Sequence, residues 1–158
     1  SHEAFSMADK CGIILDQKLK QYDIPYNVHH EPNSIDVANF LNKGIFIDVQ
    51  VVDSECAVHR LKHDELGEIR GKLSNNFPSG SKVKLLLQPE DLIHDDQSKL
   101  KLEVVDRKFR GTNFIYTLRT KKGEHLPVFV HSHHIHQHDV QEKFGIKRPI
   151  HIEHLVCF

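Results

Sequence analysis

The chain has no tryptophan, and aromatic residues make up only 8% of its 158 positions. It also lacks an excess of charge of either sign: 21 Lys and Arg stand against 22 Asp and Glu, a formal net charge of −1. Single-strand nucleic-acid binders combine a basic groove with stacking aromatics, so this composition argues against that class and no nucleic-acid partner is expected. The missing acidic run equally argues against a disordered solvating tail. Cysteine is scarce as well. Cys11, Cys56 and Cys157 are an odd number, widely spaced and without C-x-x-C, which points to buried thiols in a reducing compartment rather than a disulfide frame. No apolar run approaches the ~18 residues of a membrane helix, and the first residues show no signal-peptide pattern. The expected location is the cytoplasm.

Catalytic signatures are missing too. Neither G-x-x-x-x-G-K-[ST] nor G-x-G-x-x-G occurs, so nothing here cradles the phosphates of a nucleotide in the usual way. G-x-S-x-G and H-E-x-x-H are absent as well,. The carboxylate pairs Glu90-Asp91 and Asp95-Asp96 are neighbours in sequence and point apart, so they cannot flank one reacting bond. They read as a solvated loop after Pro89. No feature of the chain argues for an enzyme.

What is present is a succession of short strand signals. Cys11–Leu15 and Lys18–Tyr22 form a candidate hairpin across Asp16-Gln17, a turn whose second position usually needs positive φ. Asn33-Ser34 can cap a short helix over Ile35–Asn42, with Val37, Phe40 and Leu41 on one face and Gly44 as its C′ residue,. The domain boundary is placed there, giving 1–43 and 44–158. Beyond it, Ile45–Val52, Ala57–Leu61, Lys82–Leu87, Leu100–Phe109, Asn113–Thr120, Glu124–His131 and Ile150–Phe158 are short alternating or apolar runs separated by turn signals. That texture predicts a compact antiparallel barrel or sandwich. Pro127 cannot donate to a ladder and marks its strand as an edge. Pro89 should end a strand, Gly111 should allow a bulge or tight turn, and Phe109, Phe114, Tyr116 and Leu118 should fill a core.

Two stretches resemble a known family. Glu3–Asp9, the Ile14–Gln21 segment, Pro25, Pro32 and Val37-Ala38-Asn39-Phe40-Leu41 resemble the closing pattern of the nucleotide-binding domain in ATP-binding subunits of ABC importers, in particular the iron(III), sulfate and polyamine type. Gln17 stands where that family usually has the turn glycine. His2 lies too close to Glu3 to be the family's switch histidine, which is expected ahead of residue 1. Val83–Leu92, with Gln88-Pro89-Glu90-Asp91, then Phe109–Leu118 and His154–Phe158 resemble strands of the transport-associated oligonucleotide-binding-like (TOBE) domain. The resemblance implies a mainly β fold: a TOBE-type antiparallel barrel preceded by a short α/β tail. It implies a regulatory and dimerising role in a bacterial importer subunit that hydrolyses ATP, with membrane permease subunits as partners and iron(III) among the solutes. ATP and Mg would belong to the parent subunit, and this part would hold no cofactor.

Histidine is the compositional anomaly, with fourteen copies. Imidazoles titrating near ~6.5 would carry the net charge positive on mild acidification. Five of them crowd into one segment: His131, His133, His134, His136 and His138. Imidazole is the commonest ligand for zinc, nickel and copper, and several close together can fill a coordination sphere. The alternatives are a site built from this run, making the chain a histidine-rich metal-binding β-domain, adventitious binding of added metal, or a solvated loop.

Overall fold

The computed structural model describes residues 10–15, 17–23, 33, 44–55, 58–73, 76–131 and 138–158. Alternation at every second residue gives each strand one inward face. In β4 (Val58–His63) the buried positions are His59, Leu61 and His63, and in β5 (Gly67–Leu73) they are Ile69, Gly71 and Leu73. The first two strands, β1 (Cys11–Leu15) and β2 (Lys18–Asp23), form the expected hairpin as a separate two-stranded sheet. Gln17 adopts φ 62° in its turn, the left-handed conformation for which glycine is the usual choice.

β3 (Ile45–Glu55) is long enough to serve two neighbours. Its first half, Ile45–Gln50, pairs with β6 (Lys82–Leu87), and its second half pairs with β4. A register shift between Val51 and Asp53 bends the strand between the two tasks. Together with β5 and β11 (Ile150–Leu155), these strands make a five-stranded sheet in the order β11-β5-β4-β3-β6. The sheet closes on itself. Past Leu155 the chain crosses to β6, where Leu86 N donates to Val156 O (2.9 Å) and Phe158 N to Lys84 O (3.0 Å). This covers the β6 edge with the chain end and curls the sheet into a small barrel,. A second sheet, ordered β10-β7-β8-β9, contains β7 (Lys101–Phe109), β8 (Asn113–Arg119), β9 (His125–His131) and β10 (Lys143–Gly145). One hydrophobic cluster draws on both sheets, with Ile47, Leu61, Ile69 and Leu85 from the barrel and Leu102, Val104, Tyr116 and Leu118 from the second sheet. Among the described residues no helix is long and apolar enough to cross a membrane.

The mainly β, barrel-type fold is as expected. Pro127 does lie on an edge strand, β9, and β6 ends before Pro89. Gly111 takes φ 81° in the β7–β8 turn. Several expectations need correction. The barrel is not wholly antiparallel, because β11 runs parallel to β5. The closing run is not one strand: its last residues leave β5 and pair with β6. Strands β5 and β10 were not foreseen, since glycines and charges in Gly67–Leu73 mask the alternation and β10 has three residues,. Phe109 is 65% exposed rather than in the core, because it sits beside the β7–β8 turn, where among the described residues its ring packs on Phe114. The capped helix and the Glu3–Asp9 helix lie outside the described residues. Gly44 is described and does not take the positive φ of a helix C′ residue.

Cys157 is buried, as expected of its thiol, and burial pushes its pKa up to about 12. At pH 8 its thiolate fraction should therefore sit roughly a thousandfold below that of an exposed cysteine. Maleimide should leave Cys157 unmodified in the native chain and label it fully in urea, as read by peptide mapping. Native labelling at the rate of a free thiol would contradict the burial.

Candidate functional site

Of the histidine run, the described residues include its two ends. His131 is exposed at the last position of β9, while His133, His134 and His136 lie outside the described residues. His138 is placed differently from a solvated loop residue: its side chain is only 13% exposed. Its backbone is held from two strands of the second sheet. The amide donates to the Tyr116 hydroxyl (3.2 Å), and Arg107 Nη1 donates to its carbonyl (3.2 Å).

The His138 ring meets two residues that the sequence gave no reason to join to it. His94 Nε2 lies 2.9 Å from His138 Nε2, and Asp96 Oδ1 lies 2.8 Å from the former and 3.3 Å from the latter. All three are half-buried by residue, although the His94 ring itself is only 9% exposed. Phe144, fully buried, walls both imidazoles, with ring centroids 4.5 Å from His94 and 5.2 Å from His138. The segment carrying His94 and Asp96 is fastened to β10. His94 bridges Ile146, Asp95 N donates to Gly145 O (2.9 Å), and Lys147 N donates to Ile93 O (2.8 Å). Only glycine fits at 145, since a Cβ there would lie 2.0 Å from the Asp95 carbonyl. Asp95-Asp96 is thus no free solvated pair. His94 and His138 are separated by 44 residues, so no local spacing could have announced the trio.

A second titratable contact joins the two sheets. His63, 3% exposed, accepts backbone N–H groups of Leu66 (3.0 Å) and Glu65 (3.1 Å) at Nδ1. That leaves Nε2–H to donate to Glu124 Oε1 at 2.8 Å,. Nearby, Lys101, Arg119, Lys121, Lys122 and Lys143 border a shallow cleft of about 500 Å³ together with Glu65 and Glu103. Its cations are largely engaged: Arg119 pairs with Glu103 at 3.0 Å and Lys122 with Asp64.

Residues 76–147, from just before β6 to just after β10, match the TOBE domain family. That stretch is similar to a TOBE domain. The His94, Asp96 and His138 cluster lies wholly inside it. Beyond this domain, the chain is 26% identical over 130 residues to the spermidine/putrescine import ATP-binding protein PotA of Mycoplasmopsis synoviae, covering 78% of this chain and 27% of that one. PotA of Mycoplasma mycoides matches at 24% over 148 residues, covering 92% and 40% respectively. The Fe(3+) ions import ATP-binding protein FbpC 2 of Pectobacterium atrosepticum matches at 25% over 128 residues, covering 77% and 34%. The chain therefore spans between 27% and 40% of the length of these relatives. In three dimensions it is similar to the cytoplasmic molybdate-binding protein ModG, with a TM-score of 0.54 and 9% identity, covering 74% of this chain and 96% of that one. At that identity the likeness speaks for the fold alone. The resemblance read from the sequence, to the TOBE-bearing C-terminal part of ABC importer ATP-binding subunits, is borne out.

Proposed function

We propose that this chain is the C-terminal regulatory part of the ATP-binding subunit of a bacterial ABC importer, at work in the cytoplasm beside its membrane permease subunits. One observation carries the reading. An alignment of 148 residues to an importer ATP-binding subunit, 92% of this chain, cannot stop at the TOBE domain and takes in much of the segment before Gly44. The β1–β2 hairpin is consistent with that. Ile14, Leu19 and Tyr22 are each more than 60% exposed, an apolar surface suited to packing against a larger nucleotide-binding body. No described residue before Ile45 belongs to the main core cluster, which supports dividing the chain into 1–43, the tail of that body, and 44–158, the barrel-type regulatory domain.

ATP and Mg would be bound, and ATP hydrolysed, by the rest of the parent subunit, with the relatives pointing to a polyamine or iron(III) as solute. The TOBE domain would pair with a second copy as a two-fold dimer, as the family resemblance implies. Calorimetry and light scattering test the proposal together. The purified chain should show no ATP affinity in the micromolar range and should scatter as a two-fold dimer at high concentration. Micromolar nucleotide binding would sink the regulatory reading, and a strictly monomeric mass would remove the pairing role.

A further inference from the structure

The geometry points to a binding site for a divalent first-row transition-metal ion at His94, Asp96 and His138, separate from the rest of the histidine run and independent of the importer reading. The first argument is one of hydrogen bookkeeping. Three ligand atoms converge with edges of 2.9, 2.8 and 3.3 Å. Each imidazole Nε2 carries at most one hydrogen and an ionised carboxylate carries none. At most two edges can therefore be hydrogen bonds at once, and the third opposes like groups. A cation in contact with all three atoms removes that conflict.

The second argument is geometric. The point equidistant from these atoms in their own plane lies ~1.7 Å from each, slightly short of the ~2.0–2.2 Å of zinc–nitrogen and zinc–oxygen bonds. An ion at bonding distance would stand about 1 Å out of that plane, at the apex of a shallow pyramid, with its remaining position open to water. Two imidazoles and one carboxylate are a donor set for zinc and for non-haem iron(II), rather than for magnesium or calcium.

The third argument is preorganisation. Both rings are packed on Phe144, and the backbone of each ligand-bearing segment is tied to the second sheet or its extension. Little ordering remains to oppose binding. Beyond the ligands, Glu142 Oε2 stands 3.9 Å from His138 Nδ1, on the side from which a carboxylate commonly orients a metal-bound imidazole. An ion here would pin the His138 segment, between β9 and β10, to the segment after β6.

The test uses the full chain stripped of metal with a chelator and titrated with Zn²⁺ by calorimetry and with Co²⁺ by visible absorption. One equivalent should bind, Co²⁺ should show the intense d–d band of a low-coordinate site, and saturating Zn²⁺ at a hundredfold excess over Kd should raise Tm by about 5–10 °C. His94→Gln and Asp96→Asn should each weaken that equivalent about a hundredfold or more and abolish the Co²⁺ band. Replacing His131, His133, His134 and His136 together with asparagine should leave it intact. Loss of the stoichiometric site in the fourfold variant, with His94→Gln unaffected, would overturn the assignment in favour of the run. Weak multi-site binding by the unaltered chain would overturn it outright. Should His94→Gln fail to fold, Asp96→Asn decides, because the Asp96 side chain is 34% exposed and its replacement keeps shape and hydrogen bonding.

Discussion

Gly71→Ala should destabilise the chain by about 3 kcal/mol or more, as a shift in the urea midpoint at unchanged slope. Gly71 lies in β5 where the parallel strand β11 passes, and a Cβ built there would stand 1.9 Å from the Ile152 carbonyl oxygen and 2.8 Å from Leu155 Cγ. The obstruction is backbone, so no rotamer change relieves it. β11 must move away, and β11 is the strand that joins β5 on one side and leads the chain end onto β6 on the other. The whole closure of the barrel is therefore at stake, along with the burial of Ile150, Ile152 and Leu155,. Gly80→Ala supplies the control. Gly80 has φ 89° and nothing within 4 Å of an added Cβ, so its replacement should cost only about 1 kcal/mol of backbone strain. Equal costs for the two substitutions would show that β11 does not seal the barrel as described.

The same glycine explains part of what could and could not be read from the sequence. Runs such as Lys82–Leu87 and Asn113–Arg119 announce themselves because they are dense in apolar and aromatic residues and turn signals bracket them,. Gly67–Leu73 hides because two of its seven residues are glycines. One of these is there for a neighbour that arrives some eighty residues later in the chain, and a neighbour of that kind leaves no local trace. The parallel β5–β11 pairing is hidden for the same reason. The candidate metal site was legible by only one member. His138 stood out as the end of a histidine-rich run, but its partners come from a segment whose acidic pair looks solvated when read alone. What makes His94 and Asp96 a site is the docking of that segment on Gly145 and Ile146, a tertiary event. Resemblance to the importer family drew instead on motif order over the whole chain, which survives low identity better than any single pair of residues.

His63→Leu should cost about 3 kcal/mol or more, through polar groups it would strand rather than through lost volume. The ring is 3% exposed and serves three partners at once. It accepts the Leu66 and Glu65 amides at Nδ1 and donates from Nε2 to Glu124 Oε1. Leucine fills the space but leaves two amide hydrogens and a carboxylate oxygen without the ring, and each buried polar group so stranded costs about 1–3 kcal/mol. Glu124 is itself positioned by Thr120, whose Oγ1 accepts its amide (3.0 Å) and donates to its carboxylate (3.2 Å). The contact thus fastens the β4–β5 turn of the barrel to the β8–β9 turn of the second sheet. His63→Asn separates the two roles, since an amide oxygen can replace the Nδ1 acceptor but its side chain is too short to reach Glu124. That variant should lose about half as much. Glu124→Gln, which still accepts from Nε2–H, should lose only about 1 kcal/mol. In a double-mutant cycle, His63→Leu and Glu124→Leu should couple by about 1–3 kcal/mol. Additive losses would mean that the two sheets are held together by their shared apolar core, with the histidine serving its own turn alone.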